Sequence, residues 1–304
     1  MNPSVLNVFR SMKSMHPSVV CPAVGFPKIS IITPCYNMAE YLEATIISVL
    51  SQNYPNLEYI IIDGGSNDGC REIIAKYAER LHYWSSEADQ GMYHAIQKGF
   101  EHSTGDVMGW INADDLLLTG CLISVARAFT DNPECSWVQG LNSIADESGR
   151  VVAVHSPNLT SRFQFLNREC FTKAGELVAF GTLQQESTFW RRSLWMRVHG
   201  LSDCKYRLAG DFFLWMKFFR TEPLYLVYCL HGAFRVRAGQ QSVSSRDAYV
   251  AEMESIVDAE LKMLSPRNIW RLRLYACCRW FPILRAVPRV GRYFRCIVRK
   301  RLLG

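Results

Sequence analysis

The sequence of 304 residues lacks the features that mark several large classes of protein. It contains no run of about 18 apolar residues, so a membrane-spanning helix is not expected. Residues 1–27 lack the continuous apolar core of a secretory signal. No CxxC pair occurs among the eleven cysteines. Scattered cysteines of this kind predict reduced, mostly buried thiols in a reducing compartment. Neither GxGxxG nor GxxxxGK[ST] occurs, so the sequence does not support a dinucleotide fold or a P-loop phosphate site.

Acidic residues are missing from both ends of the chain. None precedes Glu40 and none follows Glu260, whereas residues 261–304 hold twelve lysines and arginines. The net charge of +6 therefore combines an acidic body with a strongly basic C-terminal segment. Apolar residues make up 49% and charged residues 20%, which excludes a disordered chain.

Short apolar runs alternate with segments of helical periodicity through the first half of the chain. The predicted strands are 28–34, 57–62, 83–86 and 107–111, and the predicted helices are 39–52, 68–80, 91–103 and 119–130. This alternation predicts βαβ units and a mostly parallel central sheet flanked by helices.

The second half of the chain is less regular. Strands are predicted near 137–141 and 151–154, and helices over about 211–220 and 247–264. We predict an N-terminal extension, two successive halves of the body and a basic helical segment, over residues 1–27, 28–132, 133–250 and 251–304.

Carboxylates follow the predicted strand ends, at Asp63, Asp68, Asp89 and the pair Asp114–Asp115. In open α/β sheets the carboxyl ends of the strands form the edge where ligands bind. A pair of adjacent carboxylates favours a divalent cation such as Mg²⁺ or Mn²⁺. Each turn also has an ordinary structural explanation, because Asp-Gly is a common turn and Asp114–Asp115 can cap the next helix.

Four sequence segments together resemble glycosyltransferase family 2, the inverting enzymes with the GT-A fold. They are Ile31–Asn37 (IITPCYN), Asp63–Gly69 (DGGSNDG), Ser86–Gly91 (SEADQG) and Asn112–Asp115 (NADD). The resemblance spans about residues 28–245. It implies that the first strand end and Asp63 hold the base and ribose, with Asp89 nearby. It also implies that Asp115 binds the metal, with Asp114 nearer the ribose or the sugar.

The nucleotide-sugar site implied by this resemblance draws on every one of these turns and on the helix after the third. Its members are Pro34, Tyr36, Asn37, Asp63, Ser66, Asp68, Asp89, Lys98, Asn112 and Asp114, and the metal ligands are Asp115 and Asp114. His94 and Gln97 stand where similar bacterial sequences have an acid and an amide. This departure bears on the preferred sugar more than on the reaction.

Inverting transfer requires a carboxylate base to accept the proton of the acceptor hydroxyl. Asp211 opens a predicted helix, and the resemblance matches it to the catalytic aspartate of the family, although helix capping explains it equally well from sequence. Glu186 is a second candidate, either as a backup base or as a ligand of an acceptor hydroxyl.

Residues 231–246 are interpreted as a mobile basic loop or an exposed basic turn. In the first case Arg235 and Arg237 would close over the diphosphate. The Gln-x-x-Arg-Trp signature of processive synthases is absent, which indicates one sugar per encounter.

The basic C-terminal segment mixes arginine with aromatic and aliphatic residues. That composition suits an interfacial helix on an anionic membrane. The alternatives are a nucleic-acid patch, which we do not favour, and packing against the body or a second subunit. We therefore expect a cytoplasmic protein, peripheral on the inner face of the membrane.

The sequence as a whole predicts an inverting, metal-dependent glycosyltransferase. The donor would be a UDP-, GDP- or dTDP-sugar, and the acceptor a hydroxyl of a saccharide or lipid-linked saccharide in surface polysaccharide biosynthesis. Two alternatives remain: a sugar-phosphate nucleotidyltransferase, and a catalytically degenerate scaffold docked on a membrane.

Overall fold

The computed structural model describes residues 25–157, 161–169, 183–240 and 245–280. Residues 1–24 of the N-terminal extension and residues 281–304 of the basic segment therefore lie outside the described residues. Within the described part, helices and strands alternate up to about residue 131, as the sequence predicts.

Ten strands form the described part of the sheet. They are β1 (Ile29–Cys35), β2 (Leu57–Asp63), β3 (Tyr83–Ser86), β4 (Val107–Trp110), β5 (Leu116–Leu117), β6 (Trp137–Ala145), β7 (Val151–His155), β8 (Thr188–Arg191), β9 (Tyr225–Leu230) and β10 (Gly232–Arg235).

Nine α-helices accompany these strands in the described ranges. They are α1 (Ala39–Leu50), α2 (Cys70–Lys76), α3 (Met92–Glu101), α4 (Cys121–Asp131), α5 (Arg162–Leu166), α6 (Arg192–Arg197), α7 (Gly210–Thr221), α8 (Arg246–Lys262) and α9 (Pro266–Trp280). Two short 3₁₀ turns, at Ala78–Arg80 and Gln185–Ser187, add to them.

The main sheet runs in the order β3-β2-β1-β4-β8-β6, and β9 pairs with the free side of β6. The first four strands in this order are mutually parallel, whereas β8 is antiparallel to both β4 and β6. The C-terminal half of β6 pairs with β7 and β10, so this strand belongs to two parts of a curled sheet. The predicted α/β fold with a central sheet flanked by helices is confirmed.

Alternation along β1 shows how the strands divide the core into two layers. Ile29 and Ile31 face one apolar cluster with α1 and α4, and Ile32 faces the other cluster with α3 and α7. Successive side chains of a strand point to opposite faces of the sheet, so one apolar strand fills both layers.

Four tryptophans fill the second layer beneath the carboxyl ends of the strands. Trp110, the last residue of β4, stacks on Trp215 of α7 with ring centroids 5.7 Å apart. Trp137 and Trp190 complete the group. Each such aromatic contact contributes about 0.5–1.5 kcal/mol beyond burial. The stack therefore fixes the start of α7 relative to the turn that follows β4.

The predicted helix over 68–80 is shorter in the structure. Gly69 has φ of +104°, which is outside helical geometry, so α2 begins only at Cys70. The helix ends at Lys76, and a 3₁₀ turn covers 78–80.

The predicted loop at 231–246 needs a larger correction. Residues 232–235 form β10, which lies between β5 and β6. Arg235 is 4% exposed within this strand and is not on a mobile loop. Residues 241–244 lie outside the described part.

Candidate active site

The turn after β2 is organised around the buried carboxylate of Asp63. This side chain has no exposed surface and accepts hydrogen bonds from the Ser66 hydroxyl, the Ser66 backbone N–H and the Ser86 hydroxyl, the last at 2.6 Å. Ser66 Oγ also accepts the backbone N–H of Asn37 at 2.7 Å. Hydrogen bonds therefore join the ends of β1, β2 and β3 in one polar group.

Asp68 and Asp89 lie on either side of that group. Asp68 accepts the backbone N–H of Ala39 at 2.8 Å and that of Cys70 at 3.2 Å, so it caps α1 and α2. Burial opposes ionisation, but these N–H bonds outweigh it and lower the pKa of Asp68. Asp89 lies over the backbone of Gly64, where an added β-carbon would be 3.0 Å from Asp89 Oδ2.

The aromatic ring of Tyr36 is the most accessible group of the β1 end. It is 63% exposed, whereas the preceding Pro34 is buried within β1. Asn37 has φ of +51° and fixes the turn, because its side-chain oxygen accepts the backbone N–H of Asn67 at 3.0 Å. Tyr36 thus offers a free ring face beside the Asp63 group.

The acidic pair after β4 is buried against two arginines. Asp115 is 1% exposed and accepts the Arg235 backbone N–H at 2.9 Å. Arg237 Nε donates to Asp114 Oδ2 at 2.8 Å, and Arg235 Nε donates to the Asp114 carbonyl at 2.7 Å. Both guanidinium groups lie 5.2 Å from the ring centroid of Tyr41. The two arginines predicted to bind diphosphate thus already contact the predicted metal-binding pair.

Glu186 lies in the 3₁₀ turn before β8, close to the acidic pair. The turn is held in place because the Gln185 side-chain amide donates to the Trp110 carbonyl. Glu186 is 2% exposed, and Gly232 packs so closely on it that an added β-carbon would lie 2.3 Å from the Glu186 carbonyl oxygen. Burial, with the charges of Asp211 and Asp114, raises the pKa of Glu186 to about 8.

Asp211 occupies the first turn of α7 and is held by two tyrosines from distant segments. The Tyr93 hydroxyl on α3 lies 3.3 Å from its carboxylate, and the Tyr249 hydroxyl on α8 lies 3.4 Å away. The Phe212 N–H donates to the same carboxylate at 2.8 Å. Burial raises the pKa of Asp211 to about 6, although these three donors act in the opposite direction.

Four of the predicted carboxylates share one region. The pKa of Asp115 is raised well above its ordinary value by burial and by the charges of Asp114 and Glu186, and Glu186 in turn faces Asp211. The structure therefore brings together the predicted base, the second carboxylate and the predicted metal ligands.

Lys98 is paired with an acidic residue in this structure, and its contact with the donor stays a prediction. Its ammonium group forms an ion pair with Glu87 on the turn after β3. The lysine therefore ties α3 to that turn in this structure. Arg191 and Arg192 donate hydrogen bonds to the backbone carbonyl oxygens of Cys135 and Gly105.

The residues around the acidic pair fit a divalent metal with oxygen ligands. Among the described residues, Asn112 Oδ1 and Glu186 Oε1 are buried side-chain oxygens with no hydrogen-bond partner. Two buried oxygens without a donor, beside carboxylates with a raised pKa, are a suitable environment for a hard cation. Carboxylate and amide oxygens suit Mg²⁺ and Mn²⁺ rather than softer metals.

The sequence interpretation missed Glu252, Tyr93 and Tyr249 as site residues. Glu252 on α8 accepts three consecutive backbone N–H groups, of Arg207, Leu208 and Ala209, at 3.1, 2.9 and 2.8 Å. Helical spacing indicates that Tyr93 faces the core with residues 96 and 100. Nothing local marks Glu252 or Tyr249, because their partners lie more than 35 residues away.

A comparison of the chain with models of known protein families identifies its family. The model of glycosyl transferase family 2 matches residues 30–191, more than half of the chain. The chain belongs to glycosyl transferase family 2. Membership makes it a glycosyltransferase, and the matched range contains the turns after β1, β2, β3 and β4 as well as Glu186.

Curated proteins that are similar to this chain are also named as glycosyltransferases. An uncharacterised glycosyltransferase of Rickettsia prowazekii (strain Madrid E) is 26% identical over 246 residues, covering 80% of this chain and 74% of its own length. TuaG of Bacillus subtilis (strain 168), named for teichuronic acid biosynthesis, is 39% identical over 92 residues. That match covers 29% of this chain and 36% of TuaG.

Solved structures of glycosyltransferases share the fold. S. aureus TarS superposes with a TM-score of 0.58 at 20% identity, over 84% of this chain and 43% of that chain. A TarS fragment in complex with UDP-GlcNAc gives 0.57 at 18% identity, over 79% of this chain and 69% of the fragment. The mannosyltransferase PcManGT of Pyrobaculum calidifontis, in complex with GDP-Man and Mn²⁺, gives 0.53 at 19% identity, covering 90% and 80% of the two chains.

Proposed function

We propose that this family 2 enzyme is an inverting, metal-dependent glycosyltransferase. It would transfer a sugar from a nucleotide diphosphate to a hydroxyl of a saccharide or lipid-linked saccharide in surface polysaccharide biosynthesis. The observation that carries the proposal is the position of Glu186, which feels the charges of both Asp211 and Asp114, so that the candidate base and the acidic pair share one region. Among these four carboxylates, Asp211 alone comes from the first turn of an α-helix.

The nucleotide would bind along the ends of β1, β2 and β3. The exposed ring of Tyr36 supplies a stacking surface for the base. Asp89 lies nearby as a hydrogen-bond acceptor for the base or ribose. The buried Asp63 holds Ser66, and Ser66 in turn holds Asn37, so this carboxylate supports the turn beneath the nucleotide. The complexes of the solved relatives with UDP-GlcNAc and GDP-Man support a UDP- or GDP-sugar as the donor.

Asp115 and Asp114 would hold the divalent metal, with Asn112 nearby. When bound, such a metal neutralises negative charge on the diphosphate. Arg237 and Arg235 lie at the same carboxylates and add fixed positive charge at the position where the leaving diphosphate develops charge.

The raised pKa values distinguish the two candidate bases. At neutral pH a carboxyl group with a pKa of about 6 is mostly ionised, and one with a pKa of about 8 is mostly protonated. A general base must be ionised to accept a proton. Asp211 is therefore the base that accepts the proton of the acceptor hydroxyl, and Glu186, being mostly protonated, does not compete for that role.

The first test is a pair of matched variants. Asp211→Asn removes the base at constant shape, and we expect transfer to fall by at least a hundredfold. Asp131→Asn, on the exposed end of α4, is the control and should keep full activity. The donor is first found by thermal shift against UDP- and GDP-sugars with Mn²⁺, because a ligand of the native state raises the unfolding temperature. Transfer is then followed as release of the nucleoside diphosphate.

Two results would contradict this proposal. Full transfer by Asp211→Asn would remove Asp211 as the base. Release of pyrophosphate from a nucleoside triphosphate and a sugar phosphate would instead support a nucleotidyltransferase.

A further inference from the structure

Two cysteines without a part in the proposed reaction lie side by side beneath the nucleotide turns. Cys35 ends β1 and Cys70 begins α2, and their Sγ atoms are 3.3 Å apart. Their exposed fractions are 4% and 0%. With Asp63 they form a buried group in which one sulfur or oxygen atom of each residue lies within 4.8 Å of the others.

The two thiols differ in their readiness to ionise. The Cys35 thiol donates its hydrogen bond to Cys70 Sγ, and this bond, with burial, raises the pKa of Cys35. The same bond lowers the pKa of Cys70. The Met38 N–H donates to Cys70 Sγ as well, at 3.3 Å. Burial and the Asp68 carboxylate oppose this shift, and the hydrogen-bond donors outweigh them. Cys70 is the more readily ionised sulfur of the pair, and the thiolate is the nucleophilic form.

We propose that Cys35 and Cys70 are an oxidisable dithiol that closes to a disulfide when it meets a peroxide. The Cys70 thiolate attacks one oxygen of hydrogen peroxide, giving a sulfenic acid and hydroxide. The Cys35 sulfur then attacks the sulfenic sulfur, the S–S bond forms, and water leaves. The pair loses two electrons, and one peroxide becomes two waters once the hydroxide takes up a proton.

The third member of the group favours a disulfide over a metal site. A metal held by the two sulfurs would need an oxygen of Asp63 as a further ligand, but the Asp63 oxygens already accept hydrogen bonds from Ser66 and Ser86. A disulfide needs only the two sulfurs: its bond is about 2.05 Å long, so closure shortens the 3.3 Å separation by about 1.3 Å, shared between two side chains.

The dithiol lies directly under the surface proposed for the nucleotide. Cys35 precedes the exposed Tyr36 and Asn37, and Asp68 holds the backbone N–H of Cys70. A nucleotide on these residues covers the turns above both sulfurs, including Cys70, which meets the peroxide first. We therefore expect bound nucleotide to slow the oxidation several-fold, and this one consequence rests on the proposed function.

Peptide mapping of the full chain tests the disulfide. Reduced protein is treated with hydrogen peroxide, remaining thiols are alkylated, and the digest is analysed by mass spectrometry. We expect a Cys35–Cys70 linked peptide that dithiothreitol abolishes. Cys35→Ser and Cys70→Ser should each remove it. Cys121→Ser, which changes another fully buried cysteine, should leave it intact.

The exposed Cys229 is the internal control for oxidant exposure. Recovery of Cys35 and Cys70 as free thiols or sulfinic acids, in a sample where Cys229 is oxidised, would overturn the proposal. So would stoichiometric zinc in the untreated protein that both serine variants lose. Thermal unfolding of each variant shows that the loss of the link is not a loss of fold.

A second arm repeats the oxidation with saturating UDP or GDP, whichever raises the unfolding temperature more. Slower linkage supports both the dithiol and the placement of the nucleotide. Equal rates with and without a nucleotide that demonstrably binds would overturn the protection and the placement, while the linked peptide itself would still establish the disulfide.

Discussion

Three carboxyl groups of this chain, two buried and one half-buried, occupy three different electrostatic environments. Glu58 is buried, but hydrogen bonds from Thr104, Ser30 and Lys28 outweigh burial and lower its pKa to about 2. Glu186 has a pKa raised to about 8 and an unpartnered buried oxygen. The pKa of Asp211, raised to about 6, lies between these two values. The sequence shows three acidic residues, and only the tertiary contacts decide which is structural, which is protonated and which can act as a base.

Tyr249→Phe is expected to move the pH dependence of transfer. The Tyr249 hydroxyl lies 3.4 Å from the Asp211 carboxylate and stabilises its anion. Without it the pKa of Asp211 rises above about 6, so the ascending limb of kcat against pH moves to higher pH. Activity is then lost below neutrality and largely kept at alkaline pH. Tyr228→Phe, at an exposed position, is the control. A uniform loss at every pH would mean that Tyr249 does not act through Asp211.

Glu186→Gln is expected to stabilise the protein at alkaline pH. The folded-state pKa of about 8 lies above the ordinary value of 4.5, so folding favours the protonated form. That stability is complete below about pH 4.5 and is lost as pH rises through about 8. At pH 9 the neutral amide should therefore raise the free energy of unfolding by roughly 2–4 kcal/mol, since one pKa unit is worth about 1.4 kcal/mol. Near pH 4 the two proteins should unfold alike. Urea denaturation at both pH values measures this, and equal stability at pH 9 would contradict it.

Helix α8 acts as a support for the start of α7. Its residue Glu252 binds the three N–H groups that precede α7, and Tyr249, one turn earlier, reaches Asp211. The sequence predicts both helices by their periodicity. It does not predict this contact, which depends on the docking of elements that are distant along the chain.

Glu252→Gln is expected to loosen the loop that carries the base. One acceptor oxygen becomes a donor, so at least one buried N–H loses its partner, at a cost of about 1–3 kcal/mol. We expect a lower unfolding temperature and a lower kcat with little change in nucleotide affinity. Glu254→Gln, exposed on the same helix, is the matched control and should behave as the unchanged protein. Weaker nucleotide binding with unchanged kcat would argue against this role.

Local patterns predicted the first-half elements well because each buried strand there is a continuous apolar run. They failed at β10, where Gly232 and Arg235 are typical of a loop. That strand exists because β5 and β6 pair with it from far along the chain. Edge strand β9 was missed for the same reason, since its only described pairing is with β6.

At the scale of the whole molecule, acidic and basic residues lie in different parts of the chain. The carboxylates of the site lie in the acidic body, and the basic segment begins at α9. On this helix Leu272 packs against the core while Trp270 is 63% exposed. Within the described ranges, no helix is both long and apolar enough to cross a membrane. The domain boundaries at 27, 132 and 250 stay predictions.

We propose that the basic segment binds anionic lipid, and a vesicle assay tests this. Truncation after Trp280 removes the greater part of the positive charge, and each cation contributes about 1 kcal/mol near an anionic surface. We expect cosedimentation with phosphatidylglycerol vesicles to fall strongly, while nucleotide binding is kept. Trp270→Ala in the full chain should weaken it moderately, and Trp84→Phe is the control. Equal binding to vesicles of neutral phosphatidylcholine would contradict an electrostatic contact.

Strand β6 carries a mechanical consequence for how substrates enter and leave. Its first residues pair with β8 and β9 and its last residues pair with β7 and β10, so one unbroken backbone is shared by both parts of the sheet. A hinge motion that separated the two parts would break the backbone hydrogen bonds between β6 and its neighbours. Substrates must therefore enter, and products leave, through local rearrangement of the segments that border the site. The sheet joined by β6 stays rigid throughout the catalytic cycle.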